Sequence, residues 1–135
     1  MYITLEADYA VRIVDAIARN RGRMMAEAIA AKSCITAKHA RKILHKLSTC
    51  GIILSRRGTS GGYELAKQAS DITIHDVLYA IEGPLVLNRC LLENTKCTRV
   101  PDKNCPYHHT FARLTDYIHS QLSSLSFADV INMEK

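Results

Sequence analysis

The sequence predicts a mainly α-helical fold with one small β-hairpin. Three observations carry that prediction. Apolar residues recur at helical spacing before Gly51, a Gly-rich stretch between two short apolar runs follows, and helical spacing resumes towards the end of the chain. The 135 residues amount to one domain or one domain with an appendage. Their 47% hydrophobic and 23% charged content suits a soluble globule and excludes collagen-like and disordered chains. No apolar run is long enough for a membrane span, and the first residues lack the layout of a signal peptide. Cytoplasmic location and no membrane partner are the resulting expectations.

Each element follows from its residues. From Thr4 to Asn20 the positions Leu5, Tyr9, Ala10, Ile13, Val14 and Ile17 keep helical spacing, and Gly22 stops the run. A second short helix fits Met24 to Lys32, with Met25, Ala28 and Ile29 on one face. Ser33 to Thr36 supplies turn chemistry, and Thr36 is suited to cap a third helix. In that helix Ala40, Ile43, Leu44 and Leu47 form the apolar stripe, basic residues and histidines fill the other faces, and Gly51 sits at the C-terminal cap. Ile52, Ile53 and Leu54, then Tyr63 and Leu65, read as two strands around SRRGTSGG. Thr73 with Asp76 imitates a capping box and opens a helix through Ile74, Val77, Leu78 and Ile81, ended by Gly83-Pro84. Asn88 to Tyr107 shows little periodicity, the length of a functional loop. A last helix starts near His109, with a stripe of Phe111, Leu114, Ile118, Leu122 and Leu125.

Charge is uneven along this plan. Residues 1–70 hold 12 Lys and Arg against 5 Asp and Glu, whereas residues 71–135 hold 6 against 8. A basic front half points to a polyanionic partner. Three helices followed by a basic, Gly-rich hairpin are the parts of a winged helix-turn-helix, whose recognition helix enters the major groove of double-stranded DNA. Thr36 and Lys38 lie at the N-terminal end of that helix, where free N–H groups favour phosphate. His39, Arg41 and Lys42 continue its polar surface. At the hairpin tip, Arg56 and Arg57 stand beside Gly58, Ser60, Gly61 and Gly62, so the backbone can approach closely and an arginine can reach the minor groove.

The aperiodic loop contains Cys90, Cys97 and Cys105, with His108 three residues after the last. Thiolates are soft ligands that suit iron–sulfur clusters or zinc, and imidazole serves as a fourth ligand for either. The loop has no C-x-x-C pair, which argues against a zinc ribbon or knuckle. Cys34 and Cys50 flank the recognition helix and read as small buried or half-buried residues.

ADYAVR at residues 7–12, KILHKLSTCGIILSRRGTSGGYEL at 42–65 and ITIHDVLYAIEG at 72–83 carry a resemblance to the Rrf-type winged-helix transcription regulators, including their IscR-, NsrR- and RirA-like members. The resemblance covers nearly the whole chain. It implies a dimeric regulator, usually a repressor, joined through the long C-terminal helix and bound to a roughly palindromic operator. Arg57 then corresponds to a minor-groove arginine, and Arg41 falls where base-reading residues lie. The family usually opens its recognition helix with Ser-Pro-x-Tyr-Leu. Here Thr36-Ala37-Lys38-His39-Ala40 stands in that place, so the resemblance implies no operator sequence.

The resemblance also implies an iron–sulfur cluster, 2Fe–2S or 4Fe–4S, on Cys90, Cys97 and Cys105, because members with this trio resemble cluster-bearing sensors. Their fourth ligand is a histidine just after the third cysteine in IscR-like members, matching His108. In NsrR-like members it is an acidic residue near the N-terminus of the partner subunit, matching Asp8. His109 and Glu6 are fallbacks. Relatives sense nitric oxide, redox state, iron or cluster supply. A cofactor-free, zinc-based or thiol-based regulator is the alternative.

Three regions follow: a DNA-binding domain over 1–83, a cluster-binding loop over 84–108, and a dimerisation helix and tail over 109–135. Enzymatic activity is not expected. The chain has no phosphate-cradling loop and no nucleophile elbow, and Cys105 with His108 has no partner carboxylate with a readable role.

Overall fold

The computed structural model describes residues 2–99 and 104–135. Helix α1 (Leu5–Arg19) is capped by Thr4, whose hydroxyl accepts from the Ala7 N–H at 3.2 Å. It buries Ala7, Ala10, Ile13, Val14, Ala16 and Ile17, a stripe at helical spacing, while Leu5 in its first turn stays exposed. Helix α2 (Ala26–Ser33) buries Ala26, Ile29 and Ala30. Met25 and Ala28, expected on its inner face, are exposed. The backbone of Met24 explains the difference: it pairs with Tyr63 in both directions, at 2.9 and 2.7 Å, so the helix starts two residues later than predicted.

Helix α3 (Ala37–Thr49) places Ala40, Ile43, Leu44 and Leu47 in the core, as its stripe predicted. Strands β1 (Ile53–Arg56) and β2 (Gly62–Leu65) form an antiparallel hairpin in the register Ile53 to Leu65 and Ser55 to Tyr63. Helix α4 (Ile74–Glu82) carries the predicted capping box, with Thr73 and Asp76 bonded reciprocally at 2.9 and 3.1 Å. These parts make the winged helix-turn-helix that the sequence predicts. Their core gathers Ile13, Val14, Ile29, Leu44, Leu47, Ile53 and Val77.

The C-terminal part differs from prediction. Helix α5 (Pro106–Ser123) starts before His109, because Cys105 is the capping residue and Pro106 fits the first turn. Leu125, expected on its stripe, lies beyond its end. A sixth helix, α6 (Phe127–Met133), follows where a tail was expected. Seven residues are too few to show periodicity, but Ser126 and Asp129 form a second capping box. The Ser126 hydroxyl holds the Asp129 carboxyl below its usual range, helped by the Ser126 backbone N–H. Phe127 is 1% exposed and joins the core built by the first helices. The Ile74 N–H donates to Leu125 O at 2.9 Å and the Phe127 N–H to Ile72 O at 3.0 Å. Arg19 binds Glu134 and Asp15, each at 2.8 Å, and so ties α6 to α1.

Helix α5 packs on α4 and on a short 3₁₀ turn at Arg89–Leu91. Only Thr115 of its 18 residues is buried. Leu114 and Tyr117 are exposed, and Phe111, Ile118 and Leu122 are half-buried. No described helix is long and apolar enough to cross a membrane.

Candidate functional site

Two constellations matter, the face made by α3 with the hairpin and the cysteine cavity at the start of α5. On α3 the hydroxyl of Thr36 accepts from the His39 N–H at 3.3 Å and lies 3.0 Å from His39 Nδ1. Thr36 therefore caps the helix, which leaves other N–H groups of the first turn for an anion. Lys38, His39, Arg41 and Lys42 are exposed. Arg41 pairs with Glu27 in the first turn of α2. Lys46 reaches Glu6 at 2.8 Å and Lys42 reaches it at 3.6 Å. The hydrogen bond from Lys46, with the charges of Lys46 and Lys42, holds the Glu6 carboxyl below its usual range despite partial burial. Glu6, a fallback metal ligand by sequence, is thus occupied by Lys42 and Lys46 of α3.

At the hairpin, Arg56 faces Glu64 at 3.5 Å. Arg57, Gly58 and Ser60 are exposed at the tip, and Arg57 has no ion pair among the described residues. The glycines serve the turn first. Gly58 takes φ +96°, while a β-carbon on Gly61 would stand 2.7 Å from Arg56 O. Gly62 lets Met24 approach, since a β-carbon there would stand 2.7 Å from Met24 O. Sequence reasoning missed Arg23, which donates to Ser60 O at 2.6 Å and faces Glu64 at 3.6 Å, bracing the hairpin from the segment before α2. A single bridging residue leaves no alternation in the sequence, so only the basic charge beside Met24 signalled it.

The second constellation is a cavity of about 190 Å³ lined by Cys90, Cys97, Cys105 and His108, together with Tyr107, Phe111 and neighbouring loop residues. Its size is several times the roughly 30 Å³ that one water occupies. Cys90 sits in the 3₁₀ turn, with its N–H donating to Asn88 Oδ1 at 3.2 Å. Cys105 is buried as the residue that caps α5, and His108 is half-buried one turn further along. His109 points its ring edge-on to His108, with centroids 5.8 Å apart. Asp8 does not line the cavity and binds Arg12 at 2.6 Å on α1. Three soft thiols and one imidazole around a single cavity fit an iron–sulfur cluster or zinc as donor types. Among the described residues, no three His, Cys, Asp or Glu side chains are drawn together tightly enough for one metal ion. Residues 100–103 of this loop lie outside the described residues. Cys34 and Cys50, expected to be buried or half-buried, are exposed at the two ends of α3, because each caps a helix rather than filling its stripe.

Comparison with known proteins adds to this geometry. Residues 3–133 match the Rrf2 family, described as an iron-dependent transcriptional regulator. The HTH-type transcriptional regulator NsrR of Oceanobacillus iheyensis is 28% identical over 95% of this chain and 88% of its own length. The HTH-type transcriptional regulator IscR of Photorhabdus laumondii is 27% identical over 100% of this chain and 82% of its own. Among solved structures, CymR, the global cysteine regulator of B. subtilis, superposes with a TM-score of 0.78 at 23% identity. That match covers 98% of each chain and shows a shared fold.

Proposed function

Because the chain belongs to the Rrf2 family of transcriptional regulators, we propose that it represses transcription as a homodimer whose hold on a roughly palindromic operator depends on an iron–sulfur cluster. The observation that carries this reading is the shared cavity of Cys90, Cys97, Cys105 and His108. The three thiolates would hold the cluster, with His108 as fourth ligand from the same chain or Asp8 from the partner subunit. When bound, the cluster supplies a centre that reacts with nitric oxide and oxidants. The cysteines would tie the loop to the first turn of α5, and ligation would offset the entropy of ordering that loop.

DNA contact is assigned to Lys38, His39, Arg41 and Lys42 on α3, to the first turn behind Thr36, and to Arg56, Arg57, Gly58, Ser60 and Gly61 of the hairpin. The charge of the basic residues, and the exposure of all the named residues but the half-buried Gly61, support this assignment. The largely unburied α5, with Leu114 and Tyr117 exposed, supports a second copy as its partner. Dimer geometry would then set the distance between recognition helices, to which operator affinity is sensitive.

Iron, acid-labile sulfide and zinc measured on protein purified without air test the reading. Equal iron and sulfide are expected, with a visible chromophore that Cys97→Ala abolishes while changing operator affinity. A Cys97→Ala protein with the wild-type spectrum and DNA affinity would refute it. The second reading is zinc or a bare thiol sensor, and the absence of a tight three-ligand group among the described residues favours the bare thiols. Zinc without sulfide would establish that alternative.

A further inference from the structure

We infer that Glu6 and Glu27 are specificity-determining residues, which hold the cations of α3 in ion pairs and so weaken binding to non-cognate DNA. The inference rests on the reading of α3 as the DNA face. Four cations extend from that helix: Lys38, Arg41, Lys42 and Lys46. Arg41 is paired with Glu27, and Lys42 and Lys46 share Glu6, so only Lys38 has no ion pair among the described residues. The two carboxylates come from the first turns of two other helices, α1 and α2, and both turn towards the same helix.

Stability accounts for only part of this arrangement. Arg41, Glu27 and Lys42 are more than half exposed, and exposed pairs contribute little to folding; the half-buried Glu6–Lys46 pair at 2.8 Å is the one that also supports the fold. A carboxylate in a first helical turn is already favoured by the helix dipole and needs no lysine to hold it there. The other consequence falls on binding. Non-specific binding is almost wholly phosphate attraction. A carboxylate beside the duplex repels phosphate and competes for each cation. At a matching base pair Arg41 keeps one N–H on Glu27 and gives two others to guanine, and a lysine held by Glu6 is aimed in the same way, so the carboxylate orients the cation as well as repelling phosphate. At a mismatched pair there is no base contact to orient, and only the repulsion and the competition with phosphate remain. The carboxylates therefore weaken every complex, and the loss is offset only where base contacts form.

The test uses the full chain and two fluorescent duplexes, one enriched by the wild-type protein from a random pool and one a shuffle of the same composition. Glu6→Gln and Glu27→Gln keep side-chain size and remove the charge. Each is expected to tighten the shuffled duplex about fivefold and the enriched duplex less than about twofold, so the ratio between them falls. Glu134→Gln removes the same charge from α6, where Glu134 binds Arg19, and is expected to leave the ratio unchanged. Equal tightening of both duplexes, or none, would overturn the inference if Lys38→Ala still weakens the shuffled duplex. If Lys38→Ala has no effect either, the DNA face lies elsewhere and both readings fail. Melting curves of each variant confirm that the fold is retained.

Discussion

A β-carbon on Gly61 would stand 2.7 Å from Arg56 O and 2.8 Å from Gly58 O. Both obstacles are backbone atoms, which no rotamer change can move. Gly61→Ala must therefore open the turn, at a cost of about 1–3 kcal/mol, the usual range for overpacking. The expected outcome is a lower urea midpoint together with weaker, less salt-dependent DNA binding, because Arg57 at the tip is displaced. An unchanged midpoint would show that the turn adapts freely. The sequence marked Gly61 for close approach to DNA, whereas its neighbours show that the turn itself requires glycine. Such a contact between residues of one loop is legible as "glycine here" but not as "which atom it avoids". The ion pairs of Glu6 and Glu27 were not legible at all. They join residues far apart in the chain, and no periodicity relates Glu6 to Lys46 or Glu27 to Arg41.

At the scale of elements, stripes long enough to repeat were readable, and both the predicted cap at Thr36 and the predicted capping box at Thr73 form. Short elements were not. Helix α6 and the bridge at Met24 contribute too few residues for a period, although Phe127 fills the core and Met24 completes the hairpin. The crossing of α5 over α4 also hid from sequence reasoning. There the rings of His75 and His119 meet edge to face, with centroids 4.4 Å apart. The Nε2 atom of each is buried without a hydrogen-bond partner among the described residues. An unsatisfied buried nitrogen costs on the order of 1–3 kcal/mol. Replacing it with an apolar ring of similar shape removes that cost and keeps the aromatic contact. His119→Phe is accordingly expected to raise stability by about 1 kcal/mol, read as a higher urea midpoint with unchanged slope. A lower midpoint would mean that the imidazole nitrogen is satisfied in solution, by water or by a second chain.

For the whole molecule, α5 is the element that one chain leaves incomplete. Its 18 residues bury only Thr115, whose hydroxyl accepts from the Leu87 N–H at 3.2 Å, while Leu114 and Tyr117 are 44% and 63% exposed. An apolar stripe at 3–4 spacing usually faces the core of its own chain. Here that core is already closed by α1, α3, α4 and, through Phe127, by α6. The exposed part of α5, with Leu114 and Tyr117, is therefore available to a second copy, and two copies would place two recognition helices on one duplex. Leu114→Glu puts a charge into that seam without touching the winged-helix core. Sedimentation is expected to show a monomer with wild-type helical content. Operator affinity should fall steeply, because each half-site must then be bound independently. Affinity for a shuffled duplex should fall less, since phosphate contacts of one protomer survive. If Leu114→Glu stays dimeric, the seam lies on another face. The distance between recognition helices would then not be set by α5, and the cysteine loop at its start would have to influence DNA binding through α4.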